Sequence, residues 1–331
     1  MIMFDDRVRA FINRFQGGFP LAERPFSIVA ADIGLSEDAL IQLVDRLLDK
    51  GLLSRFGPLY DAEAMGGGLT LAALSVPDPL FGAVVEQVNA LPDVAHNYRR
   101  DHLLNMWFVV ASSRPDGVTR ALRRIQRDTG FPVYDFPRRR AFYLGLWLEL
   151  REDGFVSTVP VPGEVACKST LSVRLDALDR LLIHATQAGL PRVAQPYRAV
   201  GEAIGVDEEQ VIVRLQCLLD GGVIRRIGAV PNHYRLGLRA NGMTVWDVPE
   251  QWTEELGQQL GGMEAVSHCY ERSRHPGIWP YNLFAMVHGH DRHEVLNKME
   301  CLRCELGEPV RGHEVLFSTA ILKKTGMRLV A

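Results

Sequence analysis

Residues 267–283, SHCYERSRHPGIWPYNL, gather two histidines, two arginines, two tyrosines, a tryptophan, a cysteine and an asparagine around two prolines and a glycine. Read as a strand, 267–272 alternates, so His268, Tyr270 and Arg272 share one face. The same spacing recurs earlier at His96, Tyr98 and Arg100, with His102 just beyond. Pro276, Pro280 and the flexible Gly277 shape a stiff bend that presents Arg274, His275 and Trp279; Tyr281 and Asn282 follow on the returning strand. An imidazole exchanges a proton near neutral pH, guanidinium forks grip carboxylate or phosphate, and aromatic rings can wall a ligand. Arg225 and Arg226, Arg99 and Arg100, and the run Arg138–Arg140 add further cations. The pattern suits a large, flat, polyanionic small molecule.

The elements that must position these residues are duplicated. Residues 19–57 align with 190–228 without a gap at an offset of 171, pairing Pro20 with Pro191, Gly34 with Gly205, Gly51 with Gly222 and Arg55 with Arg226. His96-Asn97-Tyr98 then matches His268-Cys269-Tyr270 at offset 172, and Asn105-Met106-Trp107 matches Asn282-Leu283-Phe284 at offset 177. The offset grows because the second copy carries a longer loop, and that loop is the bend above. Within 35–50, Leu40, Val44, Leu47 and Leu48 recur at helical spacing after an N-cap at Ser36 and before a stop at Gly51. With a shorter helix over 26–33 and a turn at Gly34, this predicts a helix-turn-helix followed by a wing at Leu52–Leu59.

Beyond the second such unit, the pattern predicts strands near 240–247, 264–272, 281–288 and 309–319, with helices near 250–260 and 291–305. The order βαββαβ is ferredoxin-like. The expected fold is α+β: residues 1–60 a helix-turn-helix, 61–150 a ferredoxin-like domain, 151–170 a linker, 171–232 a second helix-turn-helix and 233–331 a second ferredoxin-like domain carrying the main site. The halves are expected to pair face to face through their sheets as an internal pseudo-dimer.

Composition narrows the function. The 331 residues are 47% hydrophobic, with a formal net charge of -3, which gives the whole chain no electrostatic pull toward nucleic acid. No apolar run is long enough to span a membrane, no apolar signal core opens the chain, and five cysteines show no framework spacing; a reducing cytoplasm is expected. A helix-turn-helix joined to a ferredoxin-like domain resembles the Lrp/AsnC regulators, so DNA binding must be weighed. Residues 26–50 carry two cations against five acids, and so do residues 197–222, where the second recognition helix begins DEEQ. Acids there repel phosphates, which argues against a duplex partner. Cys301-x-x-Cys304 is half a metal motif on a helix, expected to pack; His288, His290 and His293 have no standard zinc spacing, so no protein metal site is expected.

The strings HCYER, WPYNLFAMVHG, HNYRR and NMWFV resemble the siroheme decarboxylases, Lrp/AsnC-like proteins of tetrapyrrole biosynthesis, over nearly the whole chain. The tandem arrangement looks like the fused NirD-NirL type that serves heme d1 formation; a related two-chain form, AhbA/AhbB, serves alternative heme synthesis. Ser273 departs from the proline frequent there. The resemblance implies removal of carbon dioxide from two acetate side chains of siroheme to give 12,18-didecarboxysiroheme, with no separate cofactor because the substrate carries the iron. It implies His275 as proton donor, assisted by Tyr270 and His268. Arg225, Arg226, Arg272 and Arg274 would clamp carboxylates, and Trp279, Tyr281 and Asn282 would complete the binding wall. His96, Tyr98, Arg100 and His102 would form a second or supporting site. A homo-oligomer or sister decarboxylase subunits are further implied partners. The alternatives are a regulator that senses a tetrapyrrole and a siroheme- or heme-binding protein without turnover.

Overall fold

The computed structural model describes residues 4–163 and 174–325; the remainder of the expected linker, 164–170, lies outside them. The chain opens with α1 (Asp6–Arg14), not anticipated from the pattern, followed by α2 (Pro25–Asp32) and α3 (Glu37–Asp49). Ser36 Oγ accepts from Ala39 N at 3.3 Å, and Leu40, Leu43, Val44 and Leu47 are buried, as helical spacing requires. The wing strand β1 (Leu53–Tyr60) leads into β2 (Gly68–Leu74), α4 (Asp78–Asn89), β3 (Val94–Arg100), β4 (Met106–Ser112), α5 (Gly117–Thr129) and β5 (Tyr134–Leu144). After β6 (Trp147–Leu150) and β7 (Val156–Val159) the order repeats. The second copy is α6 (Ala177–Thr186), α7 (Pro196–Ile204), α8 (Glu208–Asp220), β8 (Ile224–Pro231), β9 (Ala240–Asp247), α9 (Thr253–Gly262), β10 (Val266–Arg272), β11 (Leu283–Gly289), α10 (Arg292–Leu306) and β12 (Gly312–Lys324).

The expected linker is partly structured. Its residues 156–159 form the second arm of the β6–β7 hairpin, whose Trp147, Leu148, Leu150 and Val156 are buried. Asn13, near the end of α1, and Gln16, just beyond it, hydrogen-bond the backbone of Leu150 and Leu148, so apolar burial and main-chain pairing pin this stretch to the first helical unit.

The halves do not stack face to face. They join edge to edge in a closed barrel of order β10-β11-β9-β12-β3-β4-β2-β5. The reason is strand length: β5 and β12 run 11 and 13 residues, longer than their neighbours. The first part of β5 pairs with β2 of its own half, and its second part crosses to β10. Likewise β12 pairs first with β9, then with β3. Closure leaves no unpaired edge. The two wings also pair, β1 against β8, with the repeat-equivalent Gly57 and Gly228 directly opposed. A Cβ on Gly228 would lie 2.4 Å from Phe15 O, so the close approach at this pseudo-twofold centre requires glycine.

Four cores follow. Both helix-turn-helix units and the β6–β7 hairpin share one. Helices α4 and α5 cover another on the outer face of the first half, and α9 and α10 a third on the second. A fourth draws Ala73, Trp107 and Phe136 together with Val245, Phe284 and Leu316, residues of both halves, into the barrel interior.

Candidate active site

A cavity of about 2150 Å³ occupies the barrel interior above that fourth core and extends to the paired wings. It exceeds the roughly 300–1,000 Å³ of ordinary small-ligand pockets. Strand alternation aims His268, Tyr270 and Arg272 of β10 at it, and His96, Tyr98 and Arg100 of β3 as well. In an eight-stranded ring β10 and β3 stand four strands apart in either direction, so the two His-Tyr-Arg sets face each other across one chamber. The structure thus provides one shared cavity where the repeat suggested a main and a supporting site. The wings add Arg55, Arg225 and Arg226, and β5 adds Arg138.

Among the described residues nine arginines and lysines line this space against two acids, Asp61 and Glu63, and Glu63 is already paired with Arg138. Arg272 Nη1 donates to Phe136 O on β5 at 2.5 Å, and its repeat-equivalent Arg100 donates to Leu316 O on β12. Each arginine is therefore anchored to the crossing strand of the other half. The Nε atoms of Arg100, Arg225 and Arg272 are buried without a hydrogen-bond partner. Buried unpaired donors are costly, and the excess of cations over acids on the lining suits a polyanion.

Burial and mutual repulsion shift several of the cavity's ionisable groups toward their neutral forms. Burial, with Arg226 further pressed by Arg225, lowers Arg226, and burial lowers Arg100 and Arg272, each to about 10. His268 falls to about 3, through burial first and then through His288, Arg225, Arg226 and Arg272. His96 falls to about 4 through burial and Lys324. Burial raises Tyr270 and takes Tyr98 to about 12, so both phenols keep their protons. Arg272 and Arg138 sit over the Tyr270 ring at 5.1 and 5.7 Å.

The inserted bend does not line the cavity, and the five site residues expected on it sit in other contacts. Trp279 is fully buried against Trp107, Phe136 and Phe284 in the barrel-interior core, with centroids 5.0, 5.5 and 5.7 Å away. It supports the chamber from below. His275 is held as a structural group, its Nε2 2.8 Å from Asp135 O and its ring against Phe136. Arg274 pairs with Asp247 at 2.7 Å and caps the carbonyls of Val248 and Pro280. Tyr281 donates to Glu314 at 3.2 Å. Asn282 Oδ1 accepts from Val248 N at 2.9 Å, as its repeat partner Asn105 accepts from Val76 N. His102 likewise lies outside, packed edge-on to Trp279 with its Nδ1 accepting from Leu104 N at 2.9 Å. Alternation along β10 could be read from sequence; where a proline-rich bend folds back could not.

Residues the spacing did not single out also line the chamber: His233, Tyr234 and Lys324. They come from the turn before β9 and the end of β12, brought in by barrel closure. Arg55 was traceable, since it aligns with Arg226. Among the described residues no cluster of His, Cys, Asp or Glu has metal-binding geometry, and Cys301 and Cys304 are exposed on α10, where packing had been expected.

The helix-turn-helix units use their charges internally. Asp207 of the DEEQ start caps α8, accepting from Gln210 N at 2.7 Å. Arg214 pairs with Asp176 and Asp179, and Arg198 with Glu202. Among the described residues no helix is long and apolar enough to cross a membrane.

Known proteins match this architecture throughout. An AsnC-like ligand binding domain matches residues 65–142 and 235–323, and a siroheme decarboxylase NirDL-like helix-turn-helix domain matches residues 9–53 and 179–225. The siroheme decarboxylase NirDL subunit of Paracoccus denitrificans is 33% identical over 327 residues, 97% of each chain. The siroheme decarboxylase NirH subunit of Pseudomonas aeruginosa is 53% identical over 152 residues, 46% of this chain and 89% of that subunit. The crystal structure of the siroheme decarboxylase NirDL in complex with an iron-uroporphyrin III analogue superposes with a TM-score of 0.71 at 28% identity, covering 98% of this chain and 93% of that one. A duplicated fold, a cationic chamber shared by both copies and full-length likeness converge: the chain belongs to the siroheme decarboxylase family.

Proposed function

We propose that this protein is a carboxy-lyase that removes carbon dioxide from two acetate side chains of siroheme, yielding 12,18-didecarboxysiroheme for heme d1 or alternative heme synthesis. One observation carries the reading. A chamber of about 2150 Å³ presents nine cations against two acids, with three guanidinium Nε atoms buried and unpaired. Siroheme is an octacarboxylate, and its charge complements that lining. The iron travels within the substrate.

Each turnover converts an acetate group to a methyl: the bond between the CH2 and its carboxylate breaks, carbon dioxide leaves, and one proton is added to the CH2 carbon. The proton donor supported by the geometry is His268 rather than His275. Burial first, and then His288 and the surrounding arginines, disfavour protonation of His268. Docking an octa-anion neutralises those cations and adds negative charge, which raises the imidazole pKa and loads it with a proton when substrate is present. Tyr270 remains a phenol and can hold the departing carboxylate in line. Arg225, Arg226 and Arg272 on one side, with Arg100 opposite, orient the macrocycle and exclude water. His96 and Tyr98 hold its other rim.

The half-length match to a NirH subunit at 53% identity, beside 33% to the full-length NirDL relative, supports a fusion of two such units. A complex with a sister decarboxylase subunit is part of this proposal. Anaerobic incubation with siroheme followed by mass analysis tests the function. Loss of two carbon dioxide units supports it; tight binding with no mass loss would make the protein a tetrapyrrole binder or sensor instead.

A further inference from the structure

The two histidines that face each other across the chamber are repeat-equivalent, yet their surroundings differ. Behind His268 runs a buried chain of polar groups. Asn241 Nδ2 donates to Leu238 O at 3.3 Å, which turns its Oδ1 toward His288 Nδ1. His288 Nδ1 must then carry the hydrogen, leaving Nε2 a bare acceptor. Ser267 Oγ lies 2.7 Å from that nitrogen and points its hydrogen there, Met286 O at 3.3 Å being the longer alternative. Ser267 Oγ in turn lies 2.8 Å from His268 Nδ1 and accepts from it. Ser267, His288 and Asn241 are all buried.

The first copy lacks this chain. Ala95 stands where the second copy has Ser267. Strand pairing sets Leu69 opposite Ala111, just as it sets Asn241 opposite His288. His96 Nδ1 is accordingly buried with no hydrogen-bond partner. The molecule thus contains its own control: one fold, two histidines, one relay.

We infer that Ser267, His288 and Asn241 are positioning residues that lock His268 in its Nδ1–H tautomer, presenting Nε2 to the chamber, and so single out His268 from His96 as the proton-transfer group. A histidine whose tautomer is fixed by a second partner delivers or takes a proton at a defined atom. His96, without such a partner, contributes to binding. The rate consequence rests on the decarboxylase reading; the tautomer itself does not.

The experiment uses the full-length chain labelled with ¹⁵N-histidine, its His268 resonances identified by His268→Gln. Nitrogen–proton correlation spectra should show the substrate-free protein with Nδ1 protonated and Nε2 bare at His268. Ser267→Ala and Asn241→Leu, each installing the first copy's own residue, should abolish that preference. In anaerobic turnover they should lower kcat about 10- to 100-fold, part of the roughly 10²–10⁴ a general acid supplies, with KM within about twofold. Thermal melts establish that the variants fold. An Nε2–H tautomer at His268 in the parent protein overturns the inference, as does either variant retaining the parent's tautomer or kcat. Should the parent protein leave siroheme intact, the functional reading falls, and the nitrogen spectra still decide the tautomer lock.

Discussion

His268 carries a proton only when something offsets its burial and the charges around it. Burial, and after it His288, Arg225, Arg226 and Arg272, hold its pKa at about 3, whereas the Asp135 carbonyl holds His275 in a packed loop contact. The two histidines should therefore respond differently to removal. His268→Ala should lower the decarboxylation rate by about 10²–10⁴ while leaving siroheme affinity within a few-fold. His275→Ala should keep turnover near the parent level and lower thermal stability modestly, because one hydrogen bond and two ring contacts are lost. Single-turnover mass analysis and thermal melts on both variants check this; the reverse order of rates would restore His275 as donor.

At the scale of elements, the bend between β10 and β11 is a structural insertion. Trp279 closes the barrel interior against Trp107, Phe136 and Phe284, and Arg274 ties the bend to Asp247 at the end of β9. Truncating a fully buried tryptophan forfeits transfer energy and leaves a cavity. Trp279→Ala should cost about 3–5 kcal/mol in urea unfolding. It should also weaken siroheme binding without abolishing it, because Trp107 and Phe284 line the chamber above. Unchanged stability would mean that the bend does not support the barrel interior.

For the whole molecule, closure of the barrel makes the halves interdependent. Residues 1–163 alone would expose β3 and the second part of β5, whose partners β12 and β10 belong to the other half. Unpaired edges associate. Expressed separately, that half should form dimers or aggregates in light-scattering chromatography, and mixing it with residues 174–331 should restore a 1:1 complex; a stable monomeric half would contradict the topology. Stability should also fall in mild acid. His96 and His288 titrate at about 4 and His268 at about 3 in the folded chain, all lowered chiefly by burial, against about 6.5 when unfolded. Above that unfolded value both states are neutral and the full stability is present. As pH drops below it, the unfolded chain binds protons that the folded chain refuses, so stability is lost until the folded values are passed. Melting temperatures measured from pH 7 to 4 should decline, and His288→Gln should flatten the decline.

What the sequence determined by itself follows from local rules. The ungapped repeat at offset 171, the Ser36 cap and the apolar spacing of α3 specify two helix-turn-helix units. Period-two alternation along β3 and β10 identifies His96, Tyr98 and Arg100 with His268, Tyr270 and Arg272 as one-faced sets, and these reach the chamber. Tertiary structure decided the rest, because it depends on contacts between residues far apart in the chain. The crossing of β5 and β12 places the two sets in one chamber, into which His233, Tyr234 and Lys324 also fold, and the pairing of β9, β10 and β11 builds the Ser267–His288–Asn241 chain from three strands. The inserted bend was conspicuous for its composition. Its direction was fixed only by where Trp279 could find a dry, complementary hole, and that hole is made by side chains from both halves of the barrel.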